Sequence, residues 1–341
     1  MIPASPDLLR DQTRLRWARA ALDDPQASLQ RASIDAGFRS YWRSGGVRHA
    51  PARIVMDAPP GLEDARPWLR MRQLLADGGV RVPHVLAQDL EAGFLLLEDL
   101  GVPTLAQSLT PDNADAHFDA ALGQLLRLQR IPPPAGLGEF GEALLARDAG
   151  LFEEWFLGRH LGLALTHAEA EALRQVQRLL QANALAQPRV LTHRDFMPRN
   201  LMPVDDGPAV LDFQDCVVGP VGYDAISLFK DTTVSWPLER VDAWLARYHA
   251  RALDAGIALP PLPQFLRDAE WMGVQRHLKN LGIFARLSHR DGKHWYLDNV
   301  PRFIAYLDEA LPRHPALQPL AALLDTRVKP ALAARTAAAG A

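Results

Sequence analysis

At 341 residues and 48% hydrophobic content, the chain is long enough to bury a large core and to form two lobes. Its net charge of −3 gives no electrostatic reason to expect a nucleic-acid partner, and no apolar run is long enough to cross a bilayer, so no membrane partner is expected. The single cysteine, Cys216, excludes an internal disulfide and suits a reducing cytoplasm, and residues 1–20 lack the apolar core and cleavage site of a signal peptide. The expectation is a cytoplasmic protein, monomeric by default.

In chain order, Ser5-Pro6 reads as a helix cap with proline in the first turn. Leu8, Leu9, Leu15, Ala18 and Leu22 make a helical stripe that Asp24-Pro25 ends. Strand-like runs follow at 28–34, 39–44 and 53–57, punctuated by Gly45-Gly46 and Pro59-Pro60. Residues 63–77 fit a helix, and 85–89 with 94–98 fit an antiparallel pair. This strand-rich stretch closes at a hinge, Asp99-Leu100-Gly101. From Thr104 onward helical patterns dominate, broken by Pro132-Pro133-Pro134 and by the short strand Val190-Leu191-Thr192. Residues 201–204 and 209–213 then read as two strands joined by the hairpin signal Asp205-Asp206-Gly207. The pattern predicts an α+β protein in two lobes. A small antiparallel β-rich N-lobe should cover 1–100, and a larger, mainly helical C-lobe 101–341.

Residues 193–200 read His-Arg-Asp-Phe-Met-Pro-Arg-Asn, and Asp212-Phe213-Gln214 follows the hairpin. This is the catalytic-loop and metal-segment spacing of the kinase-like fold. Phosphoryl transfer from ATP passes through a loose transition state, so the protein must mainly position groups and neutralise charge. Asp195 can accept the proton of an attacking hydroxyl. Asn200 and Asp212 offer the oxygen ligands that Mg²⁺ prefers. The hinge at Glu98, Asp99 and Leu100 should bind adenine through its backbone. His193 is expected to brace the loop, and Asp224 to anchor the following helix against it.

The departures from the kinase pattern are as informative. The loop at 34–39 has one glycine and no GxGxxG, and the strand at 53–57 has Met56 or a neighbour where a phosphate-pairing lysine is expected. Arg43 and Arg39 are the candidates to neutralise the phosphates; ordinary surface arginines are the competing reading for each. Without that lysine, Glu63 is left without the usual strand–helix ion pair. Arg199 could reach the γ-phosphate or substrate, or pair with Asp215.

The motif order resembles the aminoglycoside-phosphotransferase-like branch of the kinase superfold: no Ala-Pro-Glu follows Asp212, but Gly219-Pro220 and Tyr223-Asp224 do. Residues 55–60 (Val-Met-Asp-Ala-Pro-Pro), 193–200, 211–215 and 271–293 are similar to the anomeric N-acetylmuramate/N-acetylglucosamine kinases of bacterial cell-wall recycling. The resemblance implies ATP- and Mg²⁺-dependent phosphorylation of the anomeric hydroxyl of the amino sugar, giving a sugar 1-phosphate.

In the 271–293 stretch, Arg276, Lys279, Ile283, Arg286 and Arg290 recur at steps of three and four and so share one helix face. Trp271, Val274, Leu278, Leu281 and Ala285 make a second, core-facing stripe. Two readings of the basic face stand open: cations that meet the lactyl carboxylate of N-acetylmuramate, or a solvated helix surface. Under either, the wall is a poor host for a polycationic aminoglycoside. The remaining alternatives are phosphorylation of another small alcohol, such as choline, homoserine or a different sugar, and a nucleotide-binding pseudokinase without turnover.

Overall fold

The computed structural model describes residues 6–34, 38–45 and 51–339. In chain order, α1 (Pro6–Ala21) precedes β1 (Ser28–Ile34), β2 (Ser40–Gly45), β3 (Arg53–Asp57), α2 (Ala65–Asp77), β4 (Val85–Asp89) and β5 (Phe94–Glu98). Helices α3 (Leu105–Ser108), α4 (Ala114–Gln129), α5 (Glu142–Leu151) and α6 (His167–Ala186) lead to β6 (Arg189–Thr192), β7 (Leu201–Met202), β8 (Ala209–Val210) and β9 (Val217–Pro220). The rest is helical: α7 (Gly222–Phe229), α8 (Leu238–Asp254), α9 (Leu262–Asp291), α10 (Val300–Ala310), α11 (Gln318–Leu323) and α12 (Lys329–Ala339). Ser5, Asp35-Ala36-Gly37 and Gly46, which the sequence reading used as landmarks, lie outside the described residues.

The chain divides into two compact units: Met1–Ser108 with Asn200–Gln214, and Leu109–Arg199 with Asp215–Ala341. The division differs from the expected break near residue 100, because the β7–β8 hairpin belongs with the first unit. Two contacts explain this. The Val210 amide donates to the Arg81 carbonyl at 2.7 Å, and the Phe213 ring lies 5.1 Å from that of Trp68 on α2.

The first unit is built on an antiparallel sheet of order β1-β2-β3-β5-β4. On β5, Phe94 to Leu97 are all buried, and a strand covered on both faces reads as a continuous apolar run. The turn into it needs Gly93 (φ +75), where a Cβ would stand 2.0 Å from the Ala58 carbonyl oxygen. Register pairs Trp42 with Val55 and Tyr41 with Met56. Val55 packs with Ala18 of α1 and with Trp42, so this row faces α1; Tyr41, Arg43 and Met56 face the other way.

Helix α1 docks through only part of the expected stripe: Ala18 is buried against Val55 and Leu96, and Leu22 packs on that cluster. Leu8 and Leu9 are exposed, and arginines take their place. Arg10 Nη2 donates to Asp57 Oδ1 at 2.6 Å and Arg14 Nη1 to Oδ2 at 2.9 Å, while the Arg14 guanidinium lies 3.5 Å over the Trp42 ring. A buried carboxylate must be paired, and arginine can do so while stacking on an aromatic face.

In the second unit, α9 runs for 30 residues, from a proline in its first turn to a left-handed Gly292. Val274, Leu278, Leu281 and Ala285 join a core with Phe156, Phe303 and Leu320, as their spacing predicts. Gly282 permits close approach to the end of α5: a Cβ there would meet the Leu151 carbonyl carbon at 2.4 Å. Strand β6 pairs antiparallel with β9. The sequence pattern places no strand at 217–220; pairing with β6 makes it one. Among the described residues no helix is long and apolar enough to cross a membrane.

Candidate active site

The loop after β6 is held from below by α7. Both oxygens of the buried Asp224 carboxylate accept backbone N–H groups, from His193 at 2.6 Å and from Arg194 at 2.9 Å. Those bonds help hold Arg194 in the left-handed region (φ 75), a conformation that a side chain adopts only when its surroundings impose it. His193 Nδ1 accepts from the Asp195 amide at 3.3 Å, and Phe196 closes the core against the His193 ring. The bracing role of His193 and the anchoring role of Asp224 are therefore visible. Burial raises the Asp224 carboxyl to about 6, against the pull of His193 and its two backbone bonds.

Asp195 stands on this loop, half-buried. Burial alone would raise its carboxyl; the Lys279 ammonium and Arg276 guanidinium, followed by His193 and Arg199, outweigh it and hold the group below the usual carboxylate range. Arg276 and Lys279 come from α9 and are buried, so the solvated-surface reading fails for both. Arg276 Nη1 donates to the Lys230 carbonyl at 3.3 Å, its Nη2 lies 3.9 Å from Met197 Sδ, and its Nε has no partner. Lys279 Nζ donates to the Tyr223 hydroxyl at 2.8 Å. Neither makes an ion pair among the described residues. Gln275, which the sequence reading passed over, is also buried beside Arg276 with both side-chain amide atoms unpaired.

Arg286 is not brought into this group, contrary to the shared-face expectation. It is half-buried, its charge is disfavoured by burial and by Arg290, and its other electrostatic neighbours are Asp291, Arg147 and Asp148. Ten residues along a helix is about 15 Å, and the angular drift turns Arg286 away from Arg276. Arg199 is exposed.

In the first unit, the Leu211 amide donates to the Asn200 carbonyl at 2.9 Å. This extends the hairpin register by one pair and leaves Asn200 and Asp212 at the same open end. Asp212 is exposed, with φ 60, and accepts from Gln214 Nε2 at 2.7 Å. An amide oxygen and a carboxylate fit Mg²⁺. No group of three or more His, Cys, Asp or Glu gathers among the described residues, so such an ion would draw its other ligands from phosphate and water, as Mg²⁺ does.

The nucleotide candidates also fall in the first unit. Glu98 closes β5 with its carboxylate engaged by Arg81 (Nη1–Oε2 3.0 Å) and its amide donating to the His84 carbonyl at 2.9 Å, near half-buried Leu100. Arg43 is occupied by the hinge: Nε and Nη2 bind Asp99 at 2.6 and 2.9 Å, and Nη2 reaches the Gly101 carbonyl at 2.7 Å. Arg39 is buried and lies 3.6 Å from Glu63, which does have the ion pair that the missing lysine seemed to deny it. Only the absence of a strand lysine hinted at this in the sequence.

The phosphotransferase enzyme family matches residues 28–268. The chain is 49% identical over 319 residues to the N-acetylmuramate/N-acetylglucosamine kinase of Pseudomonas putida, covering 93% of this chain and 91% of that one. It is 51% identical to the protein of the same name in Pseudomonas aeruginosa, covering 88% of each. Among solved structures, it is similar to a choline kinase from Streptococcus pneumoniae (TM-score 0.60, 15% identity, 87% of this chain and 99% of that one). It is also similar to an ADP-bound aminoglycoside phosphotransferase (TM-score 0.57, 15% identity, 87% and 97%). These likenesses show a kinase-like fold.

Proposed function

Because the chain belongs to the phosphotransferase enzyme family, we propose that it transfers the γ-phosphoryl group of ATP to the anomeric hydroxyl of N-acetylmuramate and N-acetylglucosamine. The single observation that carries this reading is the pair of buried cations beside Asp195. Lys279 and Arg276 favour the ionised form of that carboxylate, ready to accept a proton, and neither makes an ion pair among the described residues. Buried charge without a protein partner is unfavourable, and an anionic ligand relieves it. The lactyl carboxylate of N-acetylmuramate and the transferred phosphoryl group are both suitable anions.

In this reading the anomeric hydroxyl donates a hydrogen bond to Asp195 and attacks the γ-phosphorus. The bond to the β,γ-bridging oxygen breaks, ADP leaves, and the hydroxyl proton passes to Asp195. Asn200 and Asp212 would hold Mg²⁺, which supplies charge neutralisation on the phosphates. Glu98 and Leu100 contribute backbone contacts to adenine, and Arg199 reaches phosphate or sugar. The relatives named as N-acetylmuramate/N-acetylglucosamine kinases support the substrate, and the basic α9 face disfavours choline and aminoglycosides.

Phosphorus NMR of the product formed from ATP and N-acetylmuramate tests the proposal. A phosphate ester coupled to the anomeric proton is expected. A resonance coupled to the C6 protons would reject the anomeric assignment, and no ADP formation with either sugar would leave a nucleotide-binding pseudokinase.

A further inference from the structure

N-acetylmuramate and N-acetylglucosamine share an acetamido group, and none of the residues placed so far reads it. We propose that Gln275 on α9 does so: its side-chain amide hydrogen-bonds the acetamido group and selects N-acetylated sugars over plain ones. This rests on the amino-sugar kinase reading above.

Gln275 is 5% exposed, and neither its Nε2 nor its Oε1 has a hydrogen-bond partner. Other buried glutamines of the same unit use both ends. Gln129 donates to the Val221 carbonyl at 3.1 Å and accepts from the Tyr248 hydroxyl at 2.6 Å. Gln187 donates to the Asp268 carbonyl at 3.2 Å and accepts from the Gly222 amide at 3.2 Å. A buried amide left without partners is unfavourable, and a ligand that brings both a donor and an acceptor relieves it.

The place of Gln275 on α9 points to the sugar. Lys279 follows it by four residues, about 6 Å along the axis and about 40° around it. A helical side chain leans toward the N-terminal end of its helix, so the Lys279 stem lies over the turn that carries Gln275. Lys279 Nζ ends on the Tyr223 hydroxyl at 2.8 Å and exerts the strongest cationic pull on Asp195. Arg276, the next residue along, acts on the same carboxylate. Gln275 therefore belongs to the stretch of α9 that serves Asp195. The chemistry matches as well. An acetamido group presents an N–H and a carbonyl, and a glutamine amide offers an acceptor and a donor. The roles then divide: the two cations suit the lactyl carboxylate of one sugar, and the neutral amide reads what both sugars share.

The test compares N-acetylglucosamine, N-acetylmuramate and glucose, which lacks the acetamido group, in steady-state kinetics and calorimetric binding with the full chain. Gln275→Met should lower kcat/KM about thirtyfold for both acetylated sugars. KM for ATP and the rate with glucose should not change, so the preference for N-acetylglucosamine over glucose shrinks by the same factor. The thermal midpoint should hold or rise, because an unpaired amide leaves the interior. A merely structural glutamine would instead cost stability and slow all three sugars alike. Equal losses with glucose, a loss confined to N-acetylmuramate, or unchanged kinetics would each overturn the proposal. If Gln275→Met does not fold, Gln275→Glu decides, being of the same size without the amide donor: a narrowed ratio of N-acetylglucosamine to glucose upholds the proposal and an unchanged one rejects it. A wild type that binds the acetylated sugars yet phosphorylates neither would sink the kinase reading, and loss of that binding in Gln275→Met would still uphold this one. A wild type that binds neither sugar overturns both.

Discussion

Two groups of cations in this protein, buried except for half-buried Arg10, have opposite fates. On α1, Arg10 and Arg14 converge on Asp57, whose oxygens they occupy at 2.6 to 3.0 Å, and Phe94 and Trp42 cover them. On α9, Arg276 and Lys279 have a carbonyl, a thioether and a phenol, and both act on the Asp195 carboxylate of the loop after β6. The first group is complete within the protein and holds a helix on a sheet. The second makes no ion pair among the described residues, which is what our proposal of an anionic ligand rests on. Burial alone does not separate structure from function here; the presence or absence of an internal counter-ion does.

Experiments can press on that contrast at several strengths. The largest effect should come from Asp195→Ala, which removes the base but not the cations: turnover should fall by about 10³- to 10⁴-fold, with ATP affinity retained in calorimetry. A variant keeping most of its kcat would remove Asp195 from the role. Next, the two arginines should respond in opposite ways. Arg14→Met breaks a paired buried charge and should lower stability by about 3 kcal/mol in urea titration without altering KM for either sugar. Arg276→Met removes an unpaired one, so stability should hold or rise while kcat/KM falls about thirtyfold, more for N-acetylmuramate than for N-acetylglucosamine. If Arg276→Met unfolds the protein and spares the kinetics, the distinction drawn between the two groups is wrong.

The smallest effect concerns pH. Asp224 is raised to about 6 in the folded protein, so it takes up a proton before an unfolded chain would, and this favours the fold slightly as pH drops from 6 toward 4. Activity should move the other way, because a protonated Asp224 no longer accepts both loop N–H groups. An acid limb near pH 6 in kcat/KM is expected, and Asp224→Asn should abolish it. Asp195, held below the ordinary range, would give a limb at lower pH.

Much of the fold was legible. β-branched and apolar runs between Gly and Pro punctuation marked the strands of the first sheet nearly to the residue, and period-3.6 apolar spacing marked the core face of α9. Strand β9 was missed because its Gly-Pro ending signals a turn, and only pairing with β6 makes it a strand. The first turn of the α1 stripe, Leu8 and Leu9, stayed exposed for a different reason. Arginines held by Asp57 and Trp42 look polar to any hydrophobic pattern, yet they share the docking face with Ala18 and Leu22.

What the amino-acid order determined by itself is the local chemistry: a carboxylate, an amide and a second carboxylate at fixed separations along one short stretch, and the lack of a lysine on β3. Such spacing is set by the covalent chain and survives without knowledge of distant partners. Which of 37 lysines and arginines serve the fold and which face a ligand was decided only by tertiary structure. The counter-ion of Arg14 lies 43 residues away, and that of Arg43 lies 56 away. Arg276 makes no ion pair among the described residues, and the proposed ligand role follows from that.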